Sequence, residues 1–171
     1  FDAQPIYEDD KMIGAFGQFR DISDRYTLQE QYNYLAFHDD LTNLPNRRYM
    51  NKEIESIIKE LNTGRHKTLA LLYIDLDRFK IINDNFSHSY GDKLLIEVST
   101  RLSGCLAENE MLARMGGDEF IFLLQDFTDT DYVTAKAEEI LQLLLQPFLV
   151  DGKELYTTAS IGVAIYPDYP I

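Results

Sequence analysis

Hydrophobic positions along this chain switch several times between a helical and a strand period. From Arg48 to about Leu61, Tyr49, Ile54, Ile57, Ile58 and Leu61 supply one apolar helix face, ended by Asn62-Thr63-Gly64. Leu69 to Ile74 is a continuous apolar run of strand length, the pattern of a strand buried on both faces, and it stops at Asp75-Leu76-Asp77. A short helix is predicted from Arg78 to Asn85, and a clearer one from Asp92 to about Leu106 with Leu94, Leu95, Val98 and Leu102 on its face. Met111-Leu112-Ala113 and Phe120 to Leu124 then flank Gly116-Gly117, which predicts a two-residue hairpin because glycine accepts the positive φ of a primed turn. A helix from Thr130 to Gln146 follows, capped by Asp129, Thr130 or Asp131 and stopped by Pro147. A strand at Phe148 to Val150, a turn at Asp151-Gly152 and a strand from Leu155 to Tyr166 complete the pattern. Helices around a central, mostly antiparallel sheet make an α+β fold.

The N-terminal part differs in kind. Residues 1–21 predict one hairpin about the polar turn Glu8-Asp9-Asp10-Lys11, too little to bury a core alone. Tyr26 to Phe37 is free of Gly and Pro and predicts a connector helix, with Ser23 or Asp24 as its cap and Leu28, Tyr32 and Leu35 on one face. Asp39 to Arg48 is a polar loop in which Pro45 stops any helix. The domain expectation is therefore 1–21, 22–38 and 39–171.

Composition narrows the function. The chain has 171 residues, 45% of them hydrophobic, which suits one globular domain with an appendage. A net charge of −13 removes the basic surface that a nucleic-acid binder uses. It also means that a phosphate-bearing ligand needs a local device such as a metal ion. The single cysteine, Cys105, fits a reducing cytosol and excludes a multi-cysteine metal site. No run approaches the ~20 apolar residues of a membrane span, so no membrane contact is expected. The chain begins at Phe1 rather than Met and reads as a piece of a longer protein.

Asp118 and Glu119 follow the glycines directly, and Asp75 ends the apolar strand. Acids commonly end strands where the chain meets water, and that plain reading stands beside the functional one. If the two strands pair, Asp75, Asp118 and Glu119 converge at one sheet edge. Converging carboxylates are costly without a counter-cation. Oxygen-only ligands favour Mg²⁺ or Mn²⁺, ions used in phosphoryl transfer.

Several separated stretches then carry a specific resemblance. They are Asp40-Leu41-Thr42-Asn43-Leu44-Pro45-Asn46-Arg47-Arg48, Asp75-Leu76-Asp77-Arg78-Phe79-Lys80-Ile81-Ile82-Asn83-Asp84, His88, Gly91-Asp92, Arg114-Met115-Gly116-Gly117-Asp118-Glu119-Phe120 and Ser160-Ile161-Gly162-Val163-Ala164. In this order and spacing, residues 38–171 resemble the GGDEF, or diguanylate cyclase, family. Residues 1–21 resemble the last strands of a PAS sensor domain, joined by the connector helix. The resemblance implies a ferredoxin-like core resembling the palm of nucleotidyl cyclases and polymerases. It implies condensation of two GTP into cyclic di-GMP by a homodimer in the cytoplasm. Asp75, the Leu76 carbonyl and Glu119 would hold Mg²⁺, and Asp118 would be the base for the attacking 3′-hydroxyl or join the metal site. Asn83 and Asp92 would read guanine, backbone amides at Arg78 and Phe79 would hold phosphates, and Gly116 and Gly117 would let the backbone approach the nucleotide. The connector helix would be a control point.

Four departures from the family pattern qualify these expectations. Asn43 and Ser87 stand where glycine is common. Ala107-Glu108-Asn109-Glu110 lacks the Arg and Asp of the family's product-inhibition site. The chain also stops at Ile171, before the family's final helix with its phosphate-gripping Lys and Arg. The ending Ala164 to Pro170 resembles GGDEF domains followed by an EAL phosphodiesterase domain, so the rival expectation is a GTP-binding regulatory module of such a composite.

Overall fold

The computed structural model describes residues 2–18, 34–61, 63 and 68–167 of the chain. The chain divides into two compact units, Phe1–Leu35 and Ala36–Ile171. In the first, β1 (Asp2–Glu8) and β2 (Lys11–Gln18) pair antiparallel, as their pattern predicts. Asp9 and Asp10 turn the chain at φ of 47° and 60°, the geometry that matches strand twist. Of the predicted connector helix, residues 34–37 are helical and the rest lies outside the described residues, as do residues 168–171.

The second unit contains α1 (Arg47–Leu61), β3 (Leu69–Leu76), α2 (Phe79–Phe86), α3 (His88–Ser103), β4 (Glu110–Gly116), β5 (Glu119–Gln125), α4 (Thr130–Leu144), β6 (Phe148–Val150), β7 (Lys153–Leu155) and β8 (Ala159–Tyr166). The main sheet runs β4–β5–β3–β8, antiparallel at every pairing, which is the predicted α+β architecture. β5 sits inside it because Phe120 to Leu124 are all apolar and are buried without interruption. On one face, Ala70, Leu72, Ile74, Phe120 and Phe122 pack with Leu94, Leu95, Val98, Ile140 and Leu144 of the helices. On the other, Met50 and Ile57 of α1 pack on Ala113, Ile121 and Leu123, and this cluster reaches no farther along β3 than Leu71. Tyr73 and Asp75, next on that same face, therefore stay exposed. The uneven helix cover opens a solvent-facing surface at the end of the sheet.

Three elements depart from the sequence pattern. α3 begins at His88, four residues before Asp92, because Gly91 is packed inside the helix. A Cβ there would lie 1.9 Å from Asn83 Oδ1, so this glycine serves close packing and not a boundary. The predicted strand Leu155–Tyr166 is two strands. β7 pairs with β6 and β8 joins the main sheet, while residues 156–158 leave strand geometry to bond to the β3–α2 turn. Finally, the turn between β4 and β5 is Gly117-Asp118, one residue later than predicted, because the ladder slips between Arg114 and Gly116 and pairs Gly116 with Glu119.

Candidate functional site

The antiparallel register of β3 and β5 places Asp75 directly opposite Glu119, so the two carboxylates share one face of the sheet. Asp118 occupies the adjoining turn, and its carbonyl accepts a hydrogen bond from the Leu76 N–H at 3.3 Å. Partial desolvation by the sheet surface first, and then the negative charges of Asp118, Glu119 and Asp77, push the Asp75 carboxyl above its ordinary range. Arg47 approaches Glu119 at 3.5 Å, but both are well exposed and such pairs contribute about 1 kcal/mol or less. Partial desolvation first and then the neighbouring Glu119 carboxylate raise the Tyr73 phenol's pKa. Tyr73 and Arg47 were not among the sequence candidates. The two-residue spacing from Asp75 was the available signal for Tyr73, since alternate strand residues share a face.

Among the described residues, no three His, Cys, Asp or Glu side chains close on one point to hold an ion unaided. Two carboxylates on one open face of the sheet nonetheless suit Mg²⁺, which keeps waters and shares ligands with substrate phosphates. The raised Asp75 carboxyl supports the fit, because a cation relieves that repulsion.

The guanine-reading candidates are also brought together. Asn83 on α2 packs against Gly91 of α3, and Asp92 is the next residue, exposed on the same helix. Asn83 Oδ1 is buried without a hydrogen-bond partner. An unmet buried acceptor costs about 1–3 kcal/mol, and this one is turned against Gly91 of α3. Arg78 precedes α2 in left-handed conformation at φ 59°, with Phe79 buried behind it. An open cleft of about 710 Å³ abuts this turn, lined by Asp77, Arg78, Ile81, Thr157 and Thr158. Gly116 and Gly117 have φ of 128° and 55°, and a Cβ at either would meet no protein atom. Backbone conformation is thus what this fold asks of them.

One support for the acidic turn was not assigned from sequence. Arg114 donates from Nε and Nη2 to the Gly117 carbonyl at 3.0 and 2.7 Å, and from Nη1 to both Asp39 oxygens at 3.0 and 2.8 Å. The Arg114 and Asp39 side chains are 10% and 19% exposed, so solvent screens the pair little. Burial alone would raise the Asp39 pKa, but bonds from Arg114 and Thr42 prevail and lower it. Asn46 caps α1 by accepting from the N–H groups of Arg48 and Tyr49, and the Arg114 N–H donates to Pro45. The Asp39–Asn46 loop is thereby fastened to the hairpin that carries Asp118.

At the departures, Asn43 takes φ 61°, as its tolerance of left-handed backbone predicts, and Ser87 is held at φ 136°. Glu110 is enclosed. Its carboxylate accepts from Tyr132 at 2.6 Å and the Ala107 N–H at 2.8 Å, and pairs with Lys136 at 3.1 Å. Lys136, the basic group beside this stretch, is thus occupied by Glu110 and, at 3.0 Å, by Glu139.

The family model described as diguanylate cyclase, GGDEF domain, matches residues 36–170. The chain is 38% identical over 149 residues to the cyclic di-GMP phosphodiesterase PdeR of Escherichia coli, an alignment covering 87% of this chain and 22% of that one. It is 38% identical over 135 residues to the diguanylate cyclase TpbB of Pseudomonas aeruginosa, covering 78% and 31%. A solved structure comprising only the GGDEF domain of that Pseudomonas protein superposes with a TM-score of 0.72 at 38% identity, over 76% of each chain. The chain thus spans less than a third of either curated relative's length. Among the described residues, no helix is long and apolar enough to cross a membrane.

Proposed function

The chain belongs to the diguanylate cyclase GGDEF-domain family, and on that premise we propose that its parent protein condenses two GTP molecules into cyclic di-GMP. The observation that carries this reading is the register of Asp75 against Glu119, with Asp118 in the turn beside them. Asp75, Glu119 and the Leu76 carbonyl would hold Mg²⁺, which would neutralise triphosphate charge. Asn83 and Asp92 match the donors and acceptors of a guanine edge, and the amides of Arg78 and Phe79 hold phosphate oxygens.

The 3′-oxygen of one GTP attacks the α-phosphorus of the other. A P–O bond forms, the bond to the β-phosphate breaks, and pyrophosphate leaves. Asp118 takes the hydroxyl proton if it is free of the metal. Each subunit supplies one nucleotide, so the reaction needs two subunits facing each other, in the cytoplasm where GTP is available. A PAS-like segment upstream, through the connector helix, and an EAL domain downstream are the partners we infer within the parent protein. Asp118→Ala in the full-length protein is expected to slow synthesis at least about a hundredfold, the scale of general-base loss. Unchanged turnover would refute the assignment.

A second reading is a regulatory domain that binds GTP and tunes a neighbouring phosphodiesterase. It is favoured by the similarity to a relative named as a phosphodiesterase. GTP that alters cyclic di-GMP hydrolysis without any synthesis would establish it.

A further inference from the structure

The second acid of the β3–α2 run, Asp77, has no role in the reading above. Its carboxylate is engaged by two hydroxyls: Thr158 Oγ1 donates to Oδ2 at 2.5 Å and Ser160 Oγ to Oδ1 at 2.8 Å. Its backbone is fastened to the same segment. The Asp77 N–H donates to the Thr158 carbonyl at 2.8 Å, and Thr157 Oγ1 lies 3.2 Å from the Asp77 carbonyl oxygen. A side chain with both oxygens occupied by neutral donors is poorly placed to ligate a cation, unlike Asp75 two residues earlier.

The turn that Asp77 opens needs outside support. Arg78 is held in left-handed backbone without being glycine, which costs on the order of 1 kcal/mol. α2 is eight residues long and has no side-chain cap at its start. Local structure alone therefore does not fix the direction of the first α2 amides. The bonds from residues 157–160 supply that restraint, and they account for the break between β7 and β8.

We propose that Asp77 is a positioning residue for nucleotide binding: by tying the β3–α2 turn to Thr158 and Ser160, it aims the backbone amides of Arg78 and Phe79 at the triphosphate. The proposal rests on the GTP-binding reading and adds a residue pair, Asp77 and Thr158, to it. Because the restraint acts on the phosphate end alone, its loss weakens triphosphate binding and spares the base and sugar.

The test uses the full-length protein with Mg²⁺ and compares a non-hydrolysable GTP analogue with guanosine. Asp77→Asn and Thr158→Val are each expected to weaken analogue binding about tenfold and to leave guanosine affinity within about twofold. Thr158→Ser, which keeps the hydroxyl, is expected to restore analogue binding. The double variant Asp77→Asn/Thr158→Val is expected to be little weaker than Asp77→Asn alone, since that change already disrupts the bond from Thr158. Circular dichroism on each variant checks that it is folded.

Thr158→Val binding the analogue like wild type while Asp77→Asn loses it would mark Asp77 as a metal ligand and overturn the proposal. Equal loss of guanosine and analogue would also overturn it, as a general collapse of the site. Wild-type protein that binds the analogue while both variants bind it equally well would refute this proposal alone. Wild-type protein that binds neither ligand would refute the GTP reading and this proposal with it.

Discussion

Ser87 is the residue whose backbone most conflicts with its side chain. It sits between α2 and α3 at φ 136° and ψ 163°, a region almost confined to glycine. Ser87→Gly is expected to stabilise the protein by about 1 kcal/mol, a rise of roughly 2–4 °C in melting temperature by calorimetry. An unchanged or lower melting temperature would show that the conformation carries no strain. The placement of the acids was legible locally. Asp75 and Glu119 sit near strand ends, as the patterns around them predict, because short-range spacing fixes strand ends, while Asn83 and Asp92 were candidates through the family resemblance. Tyr73 was overlooked because its ring reads as one more apolar residue in a buried run. Its polar end becomes visible only once the helix cover is known to stop at Leu71.

At the scale of elements, the loop Asp39–Asn46 and the β4–β5 hairpin act as one piece through Arg114. The two partners are 75 residues apart, and no local spacing encodes such a contact. Asp39 holds a lowered pKa, so the stability it contributes is complete above the ordinary carboxylate value of 3.8 and is lost as pH falls through its lower folded value. Asp39→Asn is therefore expected to lose about 2 kcal/mol at neutral pH, the scale of hydrogen bonds to a charged group. Urea midpoints measured at neutral pH and near pH 3 should show that deficit shrinking in acid. A deficit constant with pH would place the loss in packing instead. The hairpin itself was predicted from two glycines. The shift of its turn to Gly117-Asp118 was not, because it follows from a ladder slip at Met115 that leaves no mark in composition. In the same way Gly91 imitates a helix boundary, and only the Asn83 side chain packed against it explains why it lies inside α3.

For the whole molecule, the α+β architecture followed from alternating periods, while the uneven placement of α1 that exposes the acidic face did not. Long-range packing decides where a helix lies across a sheet, and the sequence period records only which face it buries. Enclosure of Glu110 by Lys136 and Tyr132 bears on ligand binding at this end of the molecule. Calorimetric titration is expected to find no tight cyclic di-GMP binding at Ala107–Glu110. Tight binding lost on Glu110→Ala would contradict this.

The decisive measurement is GTP turnover by the full-length protein with Mg²⁺ across a range of protein concentrations. The expected result is cyclic di-GMP with two pyrophosphates released per product, and a rate per subunit that climbs with concentration until the dimer is saturated. Absence of synthesis in protein demonstrably dimeric and bound to GTP would contradict it.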